Sequence, residues 1–361
     1  MKIGIDVSQM CYEGTGVARY VFGLVNALLN LDTPHEFILY AGAFRQKAFF
    51  DQLKKNSPWD KAKWIILPIP PKVSGLVFNT FSLPMSSLIG PVDVFHSSDW
   101  ASFKTVGVPV TTIHDLVFIK YPATLDKLIL NTQVKRLSKI VKTKSHIIAD
   151  SKSTKNDLVA TYGIQSDLID VIYPGIYESY TPQSSTEIER VKTKYNLPDK
   201  YILSVGTKEP RKNLPRLVEA CHTLSLPLVL TGKYGWGTPL TTPGVISTGF
   251  VSDTDLPALY SSAAVFAYPS LYEGFGFPVL EAMACGTPVV TSNVSSLPEV
   301  VEDAAVLVDP QSVESIMAGI ATALENRAIY IERGFKQAKL FTWDSTAKKT
   351  LEVYEKIANR H

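Results

Sequence analysis

Three cysteines in 361 residues are too few and too scattered to staple a fold. Cys11, Cys221 and Cys285 form no C-x-x-C pair and have no histidine at zinc spacing, which excludes a disulfide framework and a zinc knuckle. They read as reduced thiols packed as small apolar groups, with a nucleophilic Cys11 beside the first glycine loop as the minor alternative. Charge is scarce as well: Asp, Glu, Lys and Arg make up 19% of the chain and the net charge is +2. Residues 1–180 hold 19 Lys and Arg against 15 Asp and Glu, and residues 181–361 hold 17 against 19. The most basic stretch, Leu128–Lys144, has too little interleaved aromatic and basic surface to suit nucleic acid. No run approaches the roughly 18 apolar residues of a spanning helix. Met1-Lys-Ile-Gly-Ile-Asp6 opens a strand where a leader would need a longer apolar core, so the expected location is cytoplasmic. A third glycine is missing after Gly14-Thr-Gly16, which excludes the dinucleotide fingerprint.

What is present is alternation. Strands are expected over Lys2–Val7 (running from edge to core), Glu36–Ala41, Trp64–Leu67, Val92–Phe95, Val110–Ile113 and His146–Ala149, with a helix over Val17–Asn30. A last strand and turn, Asp170–Ile176, closes this series, and the proline-rich stretch Pro68–Pro91 reads as a surface excursion. The polar segment Tyr180–Thr186 reads as a linker. A second series follows: Tyr201–Val205, Leu228–Thr231, Val245–Ser247, Val265–Tyr268, Val289–Thr291 and Ala305–Val308. Such alternation means α/β domains with mainly parallel sheets covered on both faces, and ligands beyond the strands' carboxyl ends in an interdomain cleft. The expected domains are 1–178, 195–343 and a C-terminal helix within 344–361 that packs back on the first domain.

The chemistry concentrates in Pro269–Pro288. There Glu273 precedes Gly274-Phe275-Gly276-Phe277, and Glu281 falls in the second turn of a helix beginning near Phe277. Carboxylates accept paired hydrogen bonds from neighbouring hydroxyls, and glycines let backbone N–H groups approach phosphate at a helix start. The pattern suits a polyhydroxylated ligand that carries phosphate. Gly206-Thr-Lys-Glu-Pro-Arg-Lys-Asn213 leaves the first strand of the second series, placing Arg211 and Lys212 to neutralise a diphosphate leaving group; a basic solvated turn is the plainer reading. His114, in Thr112-Ile-His-Asp-Leu116, can donate to a sugar hydroxyl or support charge at an anomeric carbon, with Asp115 orienting the loop or the ring; a structural cap is the alternative. His96, at another strand exit, reads first as structural and second as shaping an acceptor entrance. Ser252 with Asp255 reads as a helix start rather than a metal-binding carboxylate pair, so no metal is required. The basic amphipathic stretch 128–144 suits either a solvated flank or peripheral membrane contact near a lipid-linked acceptor.

These residues resemble family 4 of the retaining glycosyltransferases, which have the GT-B fold of two facing Rossmann-like domains. The likeness rests on Tyr272–Val290, Val205–Leu214 and Thr112–Leu116, and spans practically the whole chain. The resemblance implies catalytic roles for His114, Arg211, Lys212 and Glu273. It implies donor contacts from Gly14, Gly16, Gly206, Arg211, Lys212, Glu273, Gly274, Phe275, Gly276, Phe277 and Glu281, with Glu281 on the ribose. Many relatives have Arg where this chain has Thr207, and Arg211 can supply that charge. The Glu-Pro-Arg-Lys-Asn form looks like a mannosyltransferase branch of surface polysaccharide assembly. It points to GDP-mannose as donor, a glycan or lipid-linked saccharide as acceptor, and no cofactor. UDP-glucose, UDP-N-acetylglucosamine and UDP-galactose are alternative donors. Other classes are a sugar-nucleotide epimerase, a phosphorylase or a noncatalytic nucleotide-sugar binding protein.

Overall fold

The structure, a computed structural model, describes residues 1–12, 14–69, 86–97, 99, 107–233, 235 and 242–360. Most of the Pro68–Pro91 excursion lies outside the described residues. The chain divides into two compact units, Met1–Gly175 with Thr342–His361, and Ile176–Phe341.

Unit 1 is built on a seven-stranded parallel sheet of order β3-β2-β1-β4-β5-β6-β7. Its strands are β1 (Lys2–Asp6), β2 (Glu36–Gly42), β3 (Lys63–Leu67), β4 (Val94–Ser97), β5 (Val108–Ile113), β6 (His146–Ala149) and β7 (Ile169–Val171). β1 is an interior strand, paired with β2 and β4, and it runs from exposed Lys2 into the core. Gly4 explains the fit, since a Cβ there would lie 2.6 Å from the Phe95 ring of β4. Helices cover the sheet and begin at side-chain caps. Thr15 accepts from Ala18 N before helix Gly16–Asn30, Asp126 from Leu128 N before Lys127–Thr143, and Ser151 from Thr154 N before Lys152–Tyr162. The helix Lys127–Thr143 is less basic outside than its sequence suggests. Arg136 is buried and ion-paired with Asp99 at 2.9 Å, leaving Lys127, Lys135, Lys142 and Lys144 as the exposed cations of residues 127–144.

The C-terminal helix Trp343–Ala358 belongs to this unit. Gly23 leaves room for the Trp343 indole, because a Cβ there would lie 2.2 Å from it. Polar contacts fix the helix further along. Thr346 donates to Tyr173 O, the Tyr354 hydroxyl shares a hydrogen bond with His96 Nδ1, and Lys356 pairs with Asp170 at 2.9 Å.

Unit 2 holds a six-stranded parallel sheet of order β10-β9-β8-β11-β12-β13. The strands are β8 (Ile202–Val205), β9 (Leu228–Thr231), β10 (Val245–Gly249), β11 (Val265–Tyr268), β12 (Val289–Ser292) and β13 (Val306–Val308). One face packs Ile202, Leu228, Val265 and Val290 against Leu217 and Ile320 of the covering helices. The expected linker Tyr180–Thr186 is corrected. Tyr180 is buried, Gln183 N donates to Ser261 Oγ, and Ser184 caps a helix, Ser185–Tyr195, that packs within unit 2. Asp255 is the reason that helix docks. Its carboxylate takes Arg190 at 2.7 Å, Lys194 at 2.6 Å and the Tyr195 hydroxyl, and makes no side-chain cap bond, so its expected capping role is corrected too.

Candidate functional site

Three strand exits of unit 2 are stitched into one surface. β8 ends at Gly206, whose φ of +147° and lack of a Cβ leave Lys212 Cε only 3.4 Å from where that atom would stand. The following turn, Pro210–Lys212, is tied to the β11 exit by Leu271 N donating to Arg211 O and by the buried Asn213 side chain donating to Pro269 O. The β12 exit holds the same loop from its other side. Glu273 N donates to Ser295 Oγ, and the Ser296 hydroxyl, fully buried, lies 2.9 Å from both Glu273 O and Phe275 O. Gly276, at φ +114°, turns the chain into helix Phe277–Ala284; a Cβ there would meet Leu297 at 2.9 Å.

At the centre lies Glu273. Its Oε1 is 2.7 Å from Lys212 Nζ and its Oε2 2.7 Å from Arg211 Nη1. Burial alone would push this carboxyl up, but Arg211 and Lys212 together overturn that and hold it at about 2. Arg211 also reaches Glu209 at 2.5 Å and Tyr272 O at 2.6 Å, so its fork is fully engaged. Lys212 additionally donates to the Tyr268 hydroxyl and sits 4.7 Å from that ring's centroid. Desolvation, with Arg211 beside it, lowers the Lys212 ammonium against the pull of Glu273. Two cations and two carboxylates thus balance in a space where an unpaired charge would be costly. A carboxylate held near 2 delivers no proton at neutral pH; it accepts hydrogen bonds.

The sequence-based candidates therefore divide. Arg211, Lys212, Glu273 and Gly206 are brought together, and Gly276 and Phe277 form the adjoining helix start. Phe275 is buried, its ring 5.3 Å from that of Phe277. Glu281 sits apart from the ion pairs, 2% exposed, with the Tyr260 hydroxyl donating to its Oε2 at 2.9 Å. Glu209 and Tyr268 were not singled out by sequence. Glu209 stands inside the quoted segment Gly206–Asn213 and Tyr268 ends the expected strand Val265–Tyr268, so the signal was proximity to Arg211 and to the β11 exit.

In unit 1, His114 follows β5 with its ring 17% exposed, and its Nδ1 lies 2.6 Å from Asp150 Oδ2 at the end of β6. Burial works against charging His114, but Asp150, by charge and hydrogen bond, leaves it above its ordinary range. The Asp115 carboxylate accepts from Val117 N in its own turn, which is the loop-orienting one of its two expected roles. His96 lies within β4, buried, with Nε2 2.9 Å from Thr112 Oγ1; desolvation brings it down to about 3. This neutral, fully bonded ring serves packing, not an entrance. Gly14 has φ +80°, and Gly16 opens its helix with space around it. Burial pushes the Cys11 thiol up to about 11, which corrects the nucleophile alternative. Among the described residues no group of three or more His, Cys, Asp or Glu could hold a metal. No described helix is long and apolar enough to cross a membrane.

Comparison with known proteins places this arrangement. Residues 14–179 match the family model Glycosyltransferase Family 4, and residues 185–339 match Glycosyl transferases group 1. The chain is 33% identical to O-antigen chain mannosyltransferase B of Escherichia coli, across 98% of this chain and 100% of that one. It is 35% identical to the serotype-specific mannosyltransferase WbdA of Escherichia coli, over 58% of this chain and 29% of that protein. Among solved structures, sucrose-phosphate synthase of Thermosynechococcus elongatus shares the fold with a TM-score of 0.75 at 20% identity, covering 100% of both chains. Anabaena HepE, in complex with UDP and glucose, gives 0.71 at 16% identity over 99% of this chain and 100% of that one. The chain belongs to glycosyltransferase family 4, as a nucleotide-sugar-dependent hexosyltransferase of the GT-B fold.

Proposed function

We propose that the protein transfers mannose from GDP-mannose to a hydroxyl of a glycan or lipid-linked saccharide, with retention of anomeric configuration and without a metal. The observation that carries this reading is the Glu273 carboxylate locked between Arg211 and Lys212 at the strand exits of unit 2. Its acceptor-only character suits sugar hydroxyls, while the two cations suit a diphosphate. Glu281 is assigned to the ribose, and the Gly206 and Gly274–Phe277 backbones to the donor. In unit 1 the same reading gives the Gly14 to Gly16 loop and His114 a role at the sugar. The relatives named as mannosyltransferases support mannose over other hexoses.

In the reaction the bond from the anomeric carbon to the β-phosphate oxygen breaks, and its electron pair leaves with the diphosphate. The acceptor oxygen bonds the anomeric carbon on the same face, and its proton passes to the departing phosphate oxygen. Arg211 and Lys212 stabilise the negative charge that accumulates there. No residue of the cluster need act as a general acid, which fits a Glu273 held at about 2.

The exposed Lys135, Lys142 and Lys144 of the stretch after Lys127 support contact with an anionic membrane surface, where a lipid-linked acceptor would sit. Three unbridged cysteines support a cytoplasmic setting. Calorimetry with GDP-mannose, GDP, UDP-glucose, UDP-N-acetylglucosamine and UDP-galactose, with and without chelator, tests the donor. Tight binding of GDP-mannose indifferent to chelator is expected; preference for any UDP-sugar would overturn the donor assignment.

A further inference from the structure

The carboxyl ends of the unit 1 strands carry a second cluster, of which motif matching reaches His114 but not its partner Asp150. Asp6, Tyr20, His96, Asp99, Thr112 and His114 line one small cavity there. Its most constrained member is His114. Asp150 Oδ2 approaches Nδ1 to 2.6 Å, and the Asp150 side chain is 3% exposed. Thr154, one turn into the helix that follows, donates to His114 O at 3.3 Å, and Tyr20 packs edge-on with ring centroids 4.8 Å apart. Backbone, ring plane and one ring nitrogen are thereby fixed. Nε2 has no hydrogen-bond partner among the described residues. Asp150 Oδ1 is buried and equally without one, so the imidazole is the partner this carboxylate has.

We propose that Asp150 is a positioning residue acting through His114: by accepting Nδ1–H it sets the ring's orientation and keeps the imidazole protonated, so that Nε2–H is offered to an oxygen of the sugar nucleotide. This rests on the proposed function, in which His114 faces the donor's sugar. A buried carboxylate with a single partner is tolerable when that partner is a cation, which favours the charged pair. The surrounding charges are mixed. Asp99 adds negative potential from the β4 exit, and Arg136, from helix Lys127–Thr143, opposes it while paired with Asp99; Asp6, at the β1 exit, lines the cavity and accepts from Ser8 N. His96 contributes no positive charge because burial keeps it neutral, and the Tyr20 hydroxyl is bonded to Thr112 Oγ1.

The test combines a titration with turnover. Full-length protein carrying ¹⁵N-histidine is titrated by NMR, with His114→Ala assigning the resonance among the six histidines. In the wild type, His114 should titrate above 6.5 with both ring nitrogens protonated below that point; in Asp150→Asn it should titrate below 6.5. Turnover is read as GDP released from GDP-mannose with an envelope glycolipid extract as acceptor. Asp150→Asn should lose about tenfold or more at pH 7.5 and recover part of it at pH 6, because acid restores the imidazolium. The double variant His114→Ala/Asp150→Asn should be no worse than His114→Ala alone. A wild-type His114 that stays neutral at pH 6 overturns the inference even if Asp150→Asn fails to fold. So does an Asp150→Asn loss that is the same at both pH values. Full turnover in His114→Ala would instead sink the placement of His114 at the donor.

Discussion

Lys212 and Arg211 share Glu273 but are not equivalent. Arg211 is spent on Glu209, Glu273 and a backbone carbonyl, whereas among the described residues the ammonium of Lys212 has Glu273 and a tyrosine hydroxyl to leave. Lys212→Ala should therefore lower turnover by about 10²-fold or more, the loss expected for a charge partner of the leaving group. Unchanged turnover at saturating donor would remove it from that role. Glu273→Gln makes the complementary case. It leaves two mostly buried cations short of a negative charge, so the melting temperature of the ligand-free protein should fall. Added GDP should then raise that temperature more in Glu273→Gln than in the wild type, because the diphosphate supplies the missing charge. An equal or smaller rise, measured by differential scanning fluorimetry, would place the diphosphate elsewhere. At this scale the sequence exposed what lay in one motif. Lys212 and Glu273 stand in local patterns that a turn and a helix start explain. The His114 and Asp150 pair does not, because it joins residues 36 positions apart and exists only since β5 and β6 are neighbours in the sheet.

Among the elements, strands were legible because both faces of a parallel sheet are buried and each strand is a short apolar run. Pairing order was not, since apolar runs look alike at the edge and the centre of a sheet. The linker was misread because polar composition marks exposure as well as hinges, and Ser184 turned out to cap a helix. The C-terminal helix shows what anchors an element whose partners lie far back in the chain. Asp170 links it to the sheet through Lys356 at 2.9 Å and to His146 at 2.7 Å. The His146 hydrogen bond first, then Lys356, brings Asp170 down to about 2. A carboxyl with a depressed folded-state pKa stabilises fully above its unfolded value near 3.9 and loses that contribution as pH falls through the folded value. Asp170→Asn should thus lower the urea midpoint at pH 7, and the gap from the wild type should close between roughly pH 4 and 2. A gap that persists at pH 2 would mean that the residue acts through packing. Gly23→Ala strikes the same helix at its other end. A Cβ set against the Trp343 indole is overpacking, with an expected cost of about 1–3 kcal/mol in a two-state unfolding fit.

For the whole molecule, the division of the chain sets what can be lost separately. Unit 1 is discontinuous, closed by residues 342–361, while unit 2 is one continuous stretch, 176–341, carrying Arg211, Lys212, Glu273 and Glu281. Each has its own sheet and its own buried core. Removing residues 342–361 strips from unit 1 the Trp343 and Tyr354 contacts and leaves buried His96 Nδ1 without its hydroxyl. It removes no residue of unit 2. The truncated chain should therefore show a lowered or absent transition for one unit and a preserved one for the other, and it should still bind GDP. Hydrogen exchange read by mass spectrometry separates the two, with protection expected to fall in β1, β4 and β5 and to hold in β8, β11 and β12. Loss of protection throughout, together with loss of GDP binding, would show that unit 2 does not keep its fold without the closing helix. In that event the proposed nucleotide site of unit 2 would depend on residues that belong to unit 1.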